Sequence, residues 1–334
     1  MPTITINISQ QQLQQLLSNE EFVISLVSDT ATVGEPSANY SFFTLISEQE
    51  QRLRQQGCIR TAETYNAALR QLQRFWASGD MKLSAVTADL MEQYQHFLRS
   101  RDLAMNTVSF YMRRLRAVYQ RAVMQGLISD SHPFSRVYTG IAKTQKRALS
   151  VNDIRAIRRL QLDNHHLIFA RDLFLFSFYT RGMSFVDMAY LDNSCLRDGI
   201  LSYRRHKTGQ QLRIRWEPCM QAIVDRHKLS TGKYLLPIIC RSNGKERNQY
   251  RHRQSVVNKN LKEVGRLAGL TTGLTMYQAR HSWATIASEL QVPLGVISHA
   301  LGHTNARTTE VYIRGVDSTM VDQTNQRIAM LIEE

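Results

Sequence analysis

Apolar residues recur at helical spacing through the first half of the chain. The predicted helices there span residues 61–76, 87–99 and 106–125, and Gly126 ends the third of them. The inner face of the first helix consists of Tyr65, Leu69, Leu72, Phe75 and Trp76. The inner face of the third helix consists of Val108, Tyr111, Leu115, Val118 and Ala122. These patterns predict a compact helical domain.

The second half of the chain combines helices with one pair of short alternating segments. Ser150, with Asp153 three positions later, resembles a capping box and predicts a helix start. Residues 201–205 and 211–216 alternate between apolar and polar side chains, and the sequence Thr208-Gly209 between them favours a hairpin turn. Helices resume at about residue 254 and break at Pro293. The predicted fold is therefore mainly α with a small β-hairpin in the second domain.

The chain has 334 residues, a length that suits about two domains. We divide it into an acidic, partly flexible N-terminal segment at 1–39, a helical domain at 40–130, a basic linker at 131–149 and a second domain at 150–334. The linker contains Pro133 and Gly140, which disfavour a helix. Apolar residues spaced among polar ones after residue 316 favour a C-terminal docking helix, or packing of that helix on its own domain.

Charge is unevenly distributed along the chain. Against 28 acids the chain has 42 lysines and arginines, for a net charge of +14. Residues 1–51 hold six acids and no lysine or arginine, which leaves +20 on the remainder. A surplus of this size indicates a polyanionic partner, most simply nucleic acid. The candidate DNA-binding residues are Arg113, Arg114, Arg116, Arg121, Lys143, Lys146 and Arg147, although a run of charge is often only a solvated face.

Several classes of protein are disfavoured by the sequence. It has no apolar run of about 18 residues, so no membrane span is expected. It also lacks a secretory signal, so we expect a cytoplasmic protein. The four cysteines show no CxxC pairing, which suits reduced thiols. Neither a carboxylate cluster with metal spacing nor a GxxxxGK[ST] loop is present, so no metal and no nucleotide cofactor are expected.

Four segments of the second half contain candidate catalytic residues. They are Arg181 in TRGMSFVDMAYL, Lys207 in RHKTGQ, Arg280 in YQARHSWAT, and His303 with Tyr312 in ALGHTNARTTEVY. Each residue has an ordinary explanation when taken alone. Arg181 could interact with a helix C-terminus, Lys207 could be a solvated turn residue, and the histidine and tyrosine could belong to a core or its rim.

Taken together, the order and spacing of these segments resemble the tyrosine recombinases (phage integrase family), over about residues 40–334. The resemblance implies a two-domain, C-shaped DNA clamp made of a core-binding domain and a catalytic domain. Arg181 and Arg280 would bind the scissile phosphate, Lys207 would be the general acid, and His303 would be a further donor. Tyr312 would be the nucleophile. The family usually has histidine where this chain has Tyr277, which can donate a hydrogen bond but cannot be cationic.

The implied reaction is site-specific recombination of double-stranded DNA through a 3′-phosphotyrosine and a Holliday junction. It requires no ATP, because the covalent bond conserves the phosphodiester energy, and no metal, because the charged side chains neutralise the phosphate. The expected assembly is a homotetramer on DNA, in a bacterial nucleoid or encoded by a mobile element. Two alternatives remain: a type IB topoisomerase, which would relax DNA as a monomer, and a catalytically silent DNA-binding regulator, for which Tyr277 is the support.

Overall fold

The structure is a computed structural model that describes residues 40–142, 148–227 and 232–303. The predicted N-terminal segment, most of residues 143–149 and the C-terminal tail lie outside these ranges. The chain divides into two compact units between Lys143 and Thr144. Within the described ranges the units are built mainly of helices, with a three-stranded sheet in the second. The prediction of a mainly α fold with a small β element is confirmed.

Over residues 40–142, the first unit contains four α-helices and one short 3-10 helix. The α-helices are α1 (Phe42–Gln55), α2 (Ile59–Phe75), α3 (Ala88–Ser100) and α4 (Met105–Met124), and the 3-10 turn is Leu83–Ala85. Hydroxyl side chains cap two of the helices. Ser41 accepts a hydrogen bond from the N–H of Thr44 at 3.0 Å, and Thr87 accepts one from the N–H of Leu90 at 3.2 Å. The helices predicted from periodicity correspond to α2, α3 and α4, with ends shifted by one or two residues.

One apolar core holds the four helices together. Along α2, the buried side chains of Tyr65, Ala68 and Leu72 lie at helical spacing on one face. The ring of Tyr94 on α3 is fully buried, with its centroid 5.3 Å from that of Phe75. Each large side chain buried in this way stabilises the fold by about 1.5–3 kcal/mol.

The segment after α4 packs onto the first unit although it contains no helix. Phe134 and Val137 are buried in the core of that unit. Asn106 forms two hydrogen bonds with the backbone of Ala142, donating to its carbonyl at 3.0 Å and accepting from its N–H at 2.8 Å. Residues 132–142 are therefore part of the first unit, whereas the sequence predicted a linker from residue 131. Pro133 and Gly140 exclude a helix there, but Phe134 and Val137 are still buried.

The second unit contains seven α-helices among its described residues. They are α5 (Val151–Arg159), α6 (His165–Tyr179), α7 (Phe185–Ala189), α8 (Pro218–His227), α9 (Glu246–Leu267), α10 (Met276–Glu289) and α11 (Leu294–Ala300). Helix α6 is central, since residues 172–177 are all buried and α8, α9 and α10 pack around it. The capping box predicted at Ser150 and Asp153 is formed in both directions. Pro293 is the N-cap of α11, so the predicted break in the helices occurs there.

The sheet of the second unit is antiparallel, in the order β1 (Leu196–Arg197), β2 (Ile200–Arg204) and β3 (Gln211–Arg215). Leu201 pairs with Ile214 and Tyr203 with Leu212, and these four side chains form the buried face. The turn between β2 and β3 contains Lys207. Strand β1 is too short for its alternation to be recognised in the sequence. The sheet therefore presents the Lys207 turn at one end, next to the segments described below.

Candidate active site

Arg181 lies at the junction between α6 and α7. Its backbone is left-handed (φ +61°), an uncommon conformation for a residue other than glycine and one that clusters at functional sites. The junction is fixed locally, because the N–H of Gly182 donates to the carbonyl of Ser177 at 2.7 Å. The half-buried side chain of Arg181 donates through Nη1 to the carbonyl of Arg213 on β3 at 3.4 Å. The guanidinium is thereby directed towards the sheet.

Arg280 connects this junction to the end of the described chain. It lies in the second turn of α10, where Thr275 and Gln278 form a capping box, and only 6% of it is exposed. Nη1 donates to the carbonyl of Gly182 at 3.0 Å, and Nη2 donates to the carbonyl of Leu301 at 2.6 Å. A buried guanidinium requires such acceptors. One side chain therefore joins the segment of Arg181 to the Leu301-Gly302-His303 segment.

His303 is the third member of this group. Its Nε2 lies 2.8 Å from Nη2 of Arg280. Arginine can only donate, so Nε2 accepts and the neutral ring bears its proton on Nδ1. Burial, followed by the positive charges of Arg280, Arg205 and Lys207, lowers the pKa of His303 to about 4. The imidazole is therefore neutral at pH 7.

Lys207 is exposed in the turn between β2 and β3. The backbone of Arg205 closes this turn, donating to the carbonyl of Gln210 at 2.9 Å and accepting from the N–H of Gly209 at 2.8 Å. Gly209 has a φ of +68°, which the turn requires. The charge of Lys207 is close enough to contribute to the low pKa of His303. The structure thus brings four predicted residues, Arg181, Lys207, Arg280 and His303, to one side of the second unit.

The remaining predicted catalytic residues are placed differently. Tyr277 lies in the first turn of α10 and is 57% exposed. Its ring meets that of His281 edge to face, with centroids 4.7 Å apart. Tyr312 lies outside the described residues, nine positions after His303. Lys143, Lys146 and Arg147 also lie outside the described residues.

The four arginines of α4 fall into two pairs. Arg113 and Arg116 are exposed. The guanidinium of Arg114 lies over the ring of Tyr65 at 5.4 Å and over that of Phe110 at 5.5 Å. Arg121 is half-buried and donates to the side-chain oxygen of Gln49. Arg113 also donates through Nε to the carbonyl of Ser109 at 3.4 Å but stays exposed. The basic face predicted on this helix is therefore narrower than the sequence suggested, because Arg114 and Arg121 are half-buried against their own unit.

Two residues of the site were not singled out from the sequence. Asp187 is buried in the first turn of α7, and its carboxylate accepts from the hydroxyl of Ser184 at 2.6 Å and from the N–H of His206 at 2.8 Å. Burial alone would raise the pKa of Asp187, but hydrogen bonds from His206 and Ser184 and the charge of Arg205 outweigh it and lower that pKa. Arg205 is also buried. The alternation of Leu201 and Tyr203 on the inner face of β2 continues to residue 205 and was a signal for its burial.

No group of three or more His, Cys, Asp or Glu that could hold a metal ion occurs within the described ranges. No helix in those ranges is long and apolar enough to cross a membrane.

Two sequence families match the chain. Residues 41–137 match the phage integrase SAM-like domain, and residues 204–318 match the phage integrase family. The matches identify an N-terminal SAM-like domain followed by a tyrosine-recombinase catalytic domain. Together they cover more than half of the chain. The chain belongs to the phage integrase family of tyrosine recombinases. No curated protein matches the chain by sequence.

Solved structures of integrases share the fold. A lambda integrase dimer on a COC′ core site is 16% identical, has a TM-score of 0.62 and aligns over 82% of this chain and 95% of its own. A lambda integrase tetramer on a Holliday junction is 15% identical with a TM-score of 0.63, over 84% of this chain and 80% of that one. The Tn1549 transposon integrase in complex with transposon right-end DNA is 14% identical with a TM-score of 0.62, over 87% and 100%.

Proposed function

We propose that this recombinase cleaves and rejoins double-stranded DNA at specific sites through a 3′-phosphotyrosine and a Holliday junction. The observation that carries the proposal is the hydrogen bonding of Arg280. Its guanidinium binds the carbonyl of Gly182, the carbonyl of Leu301 and the ring of His303. Three segments far apart in the sequence meet at one side chain, and each contains a residue suited to binding a phosphate.

The scissile phosphate is the proposed ligand of the two arginines. A phosphodiester is anionic, and the non-bridging oxygens gain charge in the transition state. A planar guanidinium can contact two such oxygens at once, which suits Arg181 and Arg280 to this position. Preorganised donors of this kind each contribute about 3 kcal/mol to transition-state binding. The neutral ring of His303 is proposed as a further donor.

Proton transfer and nucleophilic attack are assigned to two further residues. When the hydroxyl of Tyr312 attacks, the departing 5′-oxygen needs a proton, and Lys207 at the exposed turn is proposed as its general acid. Tyr312 then holds the 3′-phosphate covalently. Attack by a new 5′-hydroxyl reseals the strand without ATP. Tyr277 is proposed to assist from the first turn of α10, although its role differs from that of a cationic histidine.

DNA contacts of the first unit are assigned to the exposed Arg113 and Arg116. Arg114 and Arg121 are proposed to act only indirectly, since both interact with their own unit. Lys143, Lys146 and Arg147 add to the proposed backbone contacts. Strand exchange requires four active sites, so we propose a homotetramer on DNA. A DNA substrate implies a cytoplasmic, nucleoid-associated protein of a bacterium or mobile element.

Covalent trapping tests this function. Footprinting on the DNA that flanks the gene would first locate a binding site, and a duplex nicked beside the cleavage position would then retain the covalent complex. We expect a protein–DNA adduct with the wild type, none with Tyr312→Phe, and equal DNA affinity for both. Absence of an adduct with the wild type would favour a silent regulator. Relaxation of a plasmid that has no such site would favour a type IB topoisomerase.

A further inference from the structure

Arg205 lies two residues before the proposed general acid, yet its side chain is buried. Only 8% of the side chain is exposed. Arginine is almost never fully buried unless it is paired. In a basic hairpin of a DNA-binding protein, an arginine at this position would ordinarily be assigned to a DNA phosphate. The side chain instead points into its own unit, towards the carbonyl of Gly302 and the carboxylate of Asp187, and therefore needs another assignment.

The side chain of Arg205 reaches the segment that contains His303. Its Nη1 donates to the carbonyl of Gly302, the residue before His303. Gly302 has a φ of +63°, and a Cβ added there would lie 2.7 Å from Cδ of Arg205 and 3.0 Å from Cδ1 of Leu212. The backbone of this segment therefore lies directly against the arginine stem. A glycine is required between Leu301 and His303 for this reason.

The backbone of Arg205 forms the base of the Lys207 turn. Its N–H and carbonyl bond to Gln210 and Gly209, at 2.9 and 2.8 Å. A displacement of Arg205 would consequently move both ends of the turn. The same residue holds the turn through its main chain and the Gly302 segment through its side chain.

Asp187 is the counter-ion of this arrangement. Its Oδ2 lies 4.0 Å from Nε of Arg205, and its side chain is 2% exposed. Its other oxygen accepts from the N–H of His206 at 2.8 Å and lies 3.2 Å from Nδ1 of the same residue. Two successive residues of the turn are thus attached to one buried carboxylate. Asp187 belongs to α7, which follows Arg181 directly.

We propose that Arg205 is a positioning residue that joins the Lys207 turn to the Gly302-His303 segment, so that the general acid and the phosphate-binding histidine are held as one unit. The inference rests on the proposed function. Arg205 touches neither DNA nor the reacting atoms in this scheme. It acts through Lys207 and His303, with Asp187 balancing its charge.

Arg205→Met tests the inference, because it retains the length of the stem and removes the charge and the donors. Arg197→Met is the matched control, since Arg197 is exposed at the opposite end of the same sheet. In single-turnover covalent trapping we expect Arg205→Met to be slowed about 100-fold with unchanged DNA affinity. The control should cleave at the wild-type rate. Wild-type cleavage by Arg205→Met, or a loss of DNA affinity equal to the loss of rate, would overturn the proposal.

A 5′-bridging phosphorothiolate substrate separates the two halves of the proposed role, because its leaving group needs no acid. Lys207→Ala should recover on it fully. Arg205→Met should recover only in part, since the His303 segment is displaced as well. Full recovery of Arg205→Met would contradict the coupling and reduce Arg205 to support of the turn.

A DNA-independent measurement keeps the inference separate from the proposed function. In an NMR titration of the His303 ring, Arg205→Met should raise the pKa of His303. Arg205 is one of three cations that lower this pKa, and its effect ranks after those of burial and Arg280. An unchanged titration would refute the position of Arg205 beside the Gly302-His303 segment, whether or not the wild type cleaves DNA. If Arg205→Met does not fold, Arg205→Lys replaces it in the two cleavage experiments. That variant should keep the pairing with Asp187, bind DNA normally and cleave more slowly than wild type; wild-type cleavage would count against the proposal.

Discussion

Gly182, next to Arg181, lies directly against α10. It has a φ of +72°, and a Cβ added there would lie 2.6 Å from Cα of Arg280. Because ordinary contacts begin at 3.4 Å, α10 would have to move away by about 0.8 Å in Gly182→Ala. The atom encountered belongs to the backbone, so rotation of a side chain cannot relieve the clash.

The expected loss of stability has two parts. Holding an alanine in the left-handed region costs about 1–2 kcal/mol. Overpacking against α10 adds about 1–3 kcal/mol. The sum predicts that Gly182→Ala lowers the free energy of unfolding by about 2–5 kcal/mol. Displacement of Arg280 also changes its hydrogen bond to the carbonyl of Gly182, so we expect cleavage to slow about 100-fold.

Gly199→Ala is the control for the backbone part alone. Gly199 has a φ of +68° and no atom within 4 Å of an added Cβ. This variant should lose only about 1–2 kcal/mol and cleave normally. Urea unfolding followed by circular dichroism measures the stability, and covalent trapping measures the rate. Equal losses of stability in the two variants, with wild-type cleavage in both, would refute the close approach of Gly182 to Arg280.

Three further predictions concern charge. An NMR titration of the imidazole ring should give His303 a pKa of about 4 rather than 6.5. Because the unfolded chain binds this proton more readily, the free energy of unfolding should fall as pH falls from 6.5 towards 4. A titration midpoint of His303 near 6.5 would contradict the geometry. Arg113→Ala should reduce the slope of log K against log[salt] for DNA binding by about one, whereas Arg114→Ala should leave that slope unchanged and lower the melting temperature. Equal slopes for both variants would count against the division of the α4 arginines into an exposed and a half-buried pair. Asp172→Asn should destabilise the second unit by about 3 kcal/mol in urea unfolding, since the buried carboxylate accepts from Arg171, Arg226 and His227. An unchanged free energy of unfolding would show that these contacts are dispensable.

Periodicity was sufficient to predict most of the fold. The helices α2, α3 and α4 have apolar faces at regular spacing, so their existence and their approximate ends follow from the sequence. The β2–β3 hairpin was predictable because alternating residues flank a turn that contains glycine. The packing of residues 132–142 onto the first unit was not predictable, since two buried apolar side chains without periodicity do not distinguish a packed segment from a linker. Hydrogen bonds from Asn106 and Ser109 determine that packing, and they join positions more than 30 residues apart.

The candidate site was predictable in its residues but not in its connections. The order of Arg181, Lys207, Arg280 and His303 along the chain indicated one family. It did not indicate that Arg280 binds two backbone carbonyls, because the partners of a buried polar group depend on tertiary packing. The separation of the α4 arginines depends likewise on the aromatic rings beneath Arg114. Phe110 lies four residues before Arg114 and was a local signal for that contact.

The protonation state of His303 bears on how the site would bind a phosphate. A cationic imidazole beside Arg280 would add repulsion between two buried or half-buried charges, and the low pKa of His303 avoids this. The basic side chains proposed to face the phosphate are then Arg181, Arg280 and Lys207. Two of them are arginines suited to the non-bridging oxygens, and the third is on the turn from which a proton can reach the leaving group. A buried Arg205 adds a further positive charge without competing for the phosphate, because its donors are directed to Gly302 and its charge faces Asp187. Negative charge that develops during cleavage would therefore be met by groups already fixed in position, which is the condition under which electrostatic stabilisation is most effective.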